Sequence, residues 1–171
     1  MKIKSFNKEV LFADDPVVRV DAFDIDGLKK KAKLNKRKRI RLCAHKGHED
    51  SIHEMLIVHD KMCYVRPHKH LNKTESFHII EGLADIVLFG EDGQINNVIP
   101  MGDYATGRKF FYRLPQSCYH TLLIRSEVLV FHEITNGPFR PEDTVWALWA
   151  PEEKDEVAVL EYMEWISSNL D

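Results

Sequence analysis

Cysteine is scarce and unpatterned: Cys43, Cys63 and Cys118 are odd in number and share no CxxC spacing, which argues against a disulfide framework. No apolar run reaches the roughly 18 residues that a transmembrane helix needs, so no membrane partner is expected. The opening MKIKSFNKEVLFADD has no apolar signal core, and the chain is read as cytoplasmic. Internal repeats and low-complexity segments are missing too. Aromatics are absent from Lys29 to Arg41, a stretch with nine Lys or Arg and no acid. A base-stacking surface is therefore not supported, and with a net charge of −3 no nucleic-acid partner is expected. What is present is ordinary for a soluble domain: 171 residues, 44% hydrophobic and 30% charged. A chain of that length buries roughly two-thirds of its unfolded surface.

Short segments rich in Val, Ile, Phe and Tyr fill the middle, at residues 53–59, 62–66, 76–81, 83–89, 94–99, 109–114, 119–125 and 127–134. Turn residues separate them, most clearly Gly82 and the GEDG of residues 90–93. Many short strands at close spacing predict a mainly β jelly-roll sandwich or barrel. The ends read differently. Residues 24–36 have helical spacing through Leu28 and Ala32, and 152–170 form a stronger helix with Val159, Met163, Ile166 and Leu170 on one side.

The most informative stretch is PHKHLNKTESFHIIEG, residues 67–82. Residues two apart on a strand share a face, so His68 and His70 are expected to reach one cavity. Glu75 returns on what reads as the second strand of a β-hairpin, sharing its face with Phe77 and Ile79, while Ser76, His78 and Ile80 face away. His120, in RLPQSCYHTLLI at residues 113–124, is the fourth candidate ligand. Three imidazoles and a carboxylate suit Zn, Fe, Mn, Ni or Co rather than Ca or Mg, and affinity order puts Zn first as the occupant after purification. Cys118 could share the face of His120 by alternation.

These residues resemble the cupin motifs. The HxH of His68 and His70, four residues, Glu75, six residues and Gly82 follow the first motif, although Met62 stands at its opening glycine. The second motif survives as Pro115 and His120, with Ser117 in place of its glycine and Ile124 in place of its asparagine. A closer resemblance is to the WbuC-type bacterial cupin-fold metalloproteins, through residues 37–58, 64–70 and 132–139. It implies a cupin jelly-roll barrel (double-stranded β-helix) with an N-terminal and a C-terminal helix. On this reading residues 1–171 form one cupin domain, with a helix-strand extension at 1–50, a barrel core carrying the metal site at 53–135 and the C-terminal helix at 151–171. It also implies one divalent transition metal on His68, His70, Glu75 and His120, and a homodimer.

Other polar residues are candidates for the cavity wall. Tyr64, Lys73 and His132 are the candidate catalytic groups. Arg39, Arg41, His53, Arg66 and Arg113 are candidates for substrate binding, and Arg39 and Arg41 on one strand suit the diphosphate of a sugar nucleotide. His45, His48 and His59 are expected near exposed turns, and Trp146, Trp149 and Phe139 at a packed end of the barrel. The expected function is a metal-dependent isomerase, epimerase or lyase acting on a small molecule, such as a sugar nucleotide of bacterial surface polysaccharide synthesis. The alternatives are an Fe(II)-dependent dioxygenase and a non-catalytic, metal-dependent ligand-binding module.

Overall fold

Apolar runs such as LADIVLF at residues 83–89 and VLVF at 128–131 need cover on both faces, and the layering helix, sheet, sheet, helix supplies it. The computed structural model describes residues 1–115 and 117–170. Gln116, within the second motif, and Asp171, at the end of the expected C-terminal helix, lie outside the described residues. In chain order the elements are β1 (Ile3–Ser5), β2 (Val10–Ala13), α1 (Ala22–Leu34), β3 (Arg39–Cys43), β4 (Ile52–Asp60), β5 (His68–His70) and β6 (Glu75–Glu81). There follow β7 (Leu83–Phe89), β8 (Ile95–Gly102), β9 (Phe111–Leu114), β10 (Tyr119–Ile124), β11 (Val128–Asn136), β12 (Thr144–Trp146) and α2 (Glu156–Ser168).

One sheet has seven strands in the order β1-β2-β3-β4-β11-β6-β9, the other five in the order β12-β5-β10-β7-β8. All neighbours are antiparallel except β2 and β3. Ile57, Phe77 and Phe131 from the first sheet meet Ile86, Leu122 and Ile124 from the second in the central core. Each such side chain contributes about 1.5–3 kcal/mol by leaving water. The outer faces are covered in turn. Leu28 and Ala32 of α1 pack on Ile40, Leu42, Val58 and Val130, and Ile166 of α2 lies with Val87, Phe89 and Leu123. This is the mainly β jelly roll, with a helix towards each end, that the sequence predicts. Among the described residues no helix is long and apolar enough to cross a membrane.

Three expectations are corrected. The HxH pair and Glu75 do not form a hairpin: β5 pairs with β10 and β12, whereas β6 pairs with β11 and β9. The link between them, with Asn72 at φ 58, crosses from one sheet to the other. Residues 62–66 are not a strand, although Cys63 and Val65 still bury into the core. His45 and His59 are buried at 9% and 6% exposure, not placed on exposed turns.

Candidate metal centre

Because β5 and β6 belong to opposite sheets, His68 and His70 face Glu75 across the barrel. His120 joins them from β10, directly opposite His68 in the register. One ligand atom from each of His68, His70 and His120 lies within 4.8 Å of the others. Glu75 reaches two of the three, with Oε1 3.1 Å from His120 Nε2 and Oε2 3.4 Å from His70 Nε2.

Each imidazole is held from behind. Nδ1 of His68 is 2.9 Å from the Arg66 carbonyl, and Nδ1 of His120 is 3.0 Å from the Cys118 carbonyl. A carbonyl only accepts, so Nδ1 carries a proton in both rings and Nε2 is the atom left to face the cavity. His70 Nδ1 is 3.2 Å from Thr144 Oγ1. Backing of this kind is what orients metal-bound histidines. His120 Nε2 and Glu75 Oε1 are both buried, and despite their closeness neither has a well-directed hydrogen bond. Orphaned buried atoms are costly, and a shared cation relieves both. The donor set therefore fits a divalent transition ion.

Electrostatics agree. Burial, reinforced by His120 and His70, pushes His68 down to about 3, so it is neutral. Burial acts to raise Glu75, but His120 and His70 outweigh it and hold the carboxyl below its usual range. The same pairing with Glu75 overrides burial and raises His120. A cation bound here would compete with that proton.

The group sits in a cavity of about 510 Å³. Arg39, Arg41 and Arg66 line it. Arg39 is engaged by Glu9 at 3.4 Å and Glu153 at 3.5 Å, acids that also hold Arg37. Arg41 and Arg66 each leave Nε buried without a partner. His53 and Lys73 line a separate pocket of about 90 Å³ beside it. Tyr64 turns away, its hydroxyl donating to the Pro151 carbonyl at 3.0 Å. Arg113 is exposed on the outer face of β9 opposite Ser76, and His132 lies opposite His78 on the outer face of β11, so neither borders the cavity. Cys118 points its thiol at the carbonyls of Phe89 and Tyr119, not at the histidines. Trp146 and Phe139 line the cavity, and the Trp146 ring is 5.3 Å from that of His68.

Sequence reasoning missed Glu133, which lines the cavity from β11. The signal was available: Leu129 and Phe131 are core residues on the same strand, and strand alternation carries their face to Glu133, not to His132. Burial, with Glu75 second, raises the Glu133 carboxyl to about 8.

A protein-family profile described as a domain of unknown function, DUF6016, matches residues 20–101. No curated protein matches the sequence. Among solved structures, protein SO0799 from Shewanella oneidensis is similar at 12% identity and a TM-score of 0.51, over 75% of this chain and 79% of its own. The cupin domain of Cnp3 from Schizosaccharomyces pombe matches 59% of this chain and 66% of its own at 12% identity and a TM-score of 0.46. The capsular polysaccharide assembling protein CapF from Staphylococcus aureus matches at 17% identity and a TM-score of 0.47, over 57% of this chain. This chain covers only 27% of the length of CapF. At such identities the likeness is one of fold alone, and the fold of this chain is a mainly β jelly roll of two sheets.

Proposed function

We propose that the protein is a metal-dependent cupin that moves a proton on a small, hydroxyl-bearing, anionic molecule, as an isomerase, epimerase or lyase. Nucleotide-linked sugars of surface polysaccharide synthesis, suggested by the WbuC-type resemblance, are the first substrates to assay. The observation that carries the reading is the convergence of three backed imidazoles and Glu75 on the cavity, with His120 Nε2 and Glu75 Oε1 buried 3.1 Å apart and without a well-directed hydrogen bond to any group. A divalent ion held there supplies Lewis acidity towards a substrate oxygen.

The protein's own groups do the rest. Glu133 faces the same cavity, where burial raises its carboxyl from the ordinary carboxylate range towards neutrality, as a general acid or base requires; an ion on the histidine cluster would draw it part of the way back. Burial keeps His59, also on the wall, neutral, at about 4. Proton transfer is favoured because the cavity wall supplies an acid–base carboxyl for it in Glu133.

The test is turnover of a panel of sugar nucleotides under air and under nitrogen, for the wild type and Glu133→Gln. We expect turnover that is indifferent to oxygen and falls about a hundredfold or more in the variant, with metal content unchanged. Turnover that needs oxygen would instead support an Fe(II) dioxygenase. Saturable binding without turnover would support a ligand-binding module.

A further inference from the structure

Beside the main cavity lies the smaller pocket of about 90 Å³, and the two share Arg41, His70, Glu133, Phe139 and Thr144 as walls. Its lining is rich in donors that have nothing to bind. Lys73 is 91% buried, being 9% exposed, and makes no hydrogen bond or ion pair among the described residues. Its ammonium lies 5.3 Å from the centre of the Phe139 ring. Arg41 Nε and Thr135 Oγ1 are buried with no partner. The Lys73 ammonium is not itself a fully buried atom and so opens to the pocket, whereas the buried orphans Arg41 Nε and Thr135 Oγ1 each cost folding free energy. Three donors without a partner around one small pocket mark a place built for something that accepts hydrogen bonds.

We propose that this side pocket receives an anionic oxygen group, carboxylate or phosphate, of the molecule whose other end is held at the histidine cluster. The inference rests on the proposed function for that second contact. Lys73 supplies a compact charge, Arg41 a planar donor and Thr135 a hydroxyl, which together match a multi-oxygen anion. Glu133 is the acid on the lining. Arg41 and Lys73 on the same lining outnumber it, so the pocket's side-chain charge stays positive even with Glu133 ionised. Burial lowers His45 and His53 on the lining, which keeps them neutral. Because His70 forms part of both walls, an anion in the pocket lies next to the proposed metal ligands. The molecule is thereby fixed at two points, as stereospecific proton transfer requires.

The experiment is calorimetric titration of inorganic phosphate, and separately of glycolate, into zinc-loaded and chelator-stripped full-length protein, with the zinc content of every sample measured. We expect saturable binding in both forms, about tenfold weaker or worse in Lys73→Met, weaker also in Thr135→Val, and unchanged in Lys69→Met, whose ammonium pairs with Glu91 outside the pocket. Phosphate binding more tightly than glycolate would assign the anion as a phosphoryl group, and the reverse as a carboxylate. Thr135→Val removes an unsatisfied buried hydroxyl and should melt at or above the wild-type temperature, and Lys73→Met should melt close to it. Absence of saturable heat for either anion in both forms would overturn the proposal. Binding that needs zinc and ignores Lys73→Met would overturn it too, while leaving the metal reading intact. Binding to stripped protein that is lost in Lys73→Met, from a wild type that takes up no zinc, would support the pocket and remove the metal reading.

Discussion

At the scale of single residues, the direction in which a side chain faces decides its role more than its type does. Neighbouring His132 and Glu133 differ only in parity on β11, and the glutamate, not the histidine, reaches the cavity. His59 carries a consequence of the same kind for stability. It is 6% exposed, its Nδ1 has no partner, and burial takes it from 6.5 to about 4. The unfolded chain therefore binds a proton that the folded protein resists. This contribution to stability is complete above the unfolded value of 6.5 and is lost as pH falls from about 6.5 to about 4, by up to roughly 3 kcal/mol. Urea unfolding at pH 7, 5.5 and 4.5 should show His59→Gln losing less stability than the wild type on acidification. Parallel losses in the two proteins would refute this assignment.

At the scale of elements, local rules in the sequence locate most strands and both helices, and long-range pairing accounts for the discrepancies. The helix read at residues 24–36 begins two residues earlier, at Ala22, because Asp21 caps it and forms a reciprocal box with Asp24. The acid taken for the helix start is the third residue within it. The four candidate ligands are legible because HxH and Glu75 sit at fixed spacing, yet their placement on opposite sheets is not, since a four-residue link can as easily turn a hairpin as cross a barrel. β1, β2 and β12 are three or four residues long, too short for periodicity to show, and with β12 go Thr144 and Trp146 at the cavity. Gly82, by contrast, is legible and necessary. Its φ is +94, and an added Cβ would collide with the Val128 carbonyl oxygen. Gly82→Ala should cost more than about 1 kcal/mol in urea unfolding, and a cost near zero would mean that the β6 to β7 turn relaxes freely.

At the scale of the whole molecule, three residues of the basic stretch are held by acids elsewhere in the fold: Lys29 bonds Glu81 at 2.6 Å, and Arg37 and Arg39 are tied to Glu9 and Glu153. The two helices cover the outer faces of the sheets, and Arg41 Nε, His59 Nδ1, Arg66 Nε, Glu75 Oε1 and His120 Nε2, buried atoms without a hydrogen bond, all belong to residues that line the cavity with the histidine cluster. A bound ion would join β5 and β10 of one sheet to β6 of the other, and so stabilise the barrel by mass action, by about 2.7 kcal/mol at a hundredfold excess over its Kd.

The most direct test is elemental analysis of protein purified without added metal or chelator, for the wild type, Glu75→Ala, His120→Ala and the His68→Ala, His70→Ala double variant. The account predicts close to one equivalent of a divalent transition metal in the wild type, and little or none in the three variants. A wild type without metal after exposure to zinc, or a double variant with undiminished metal, would contradict it.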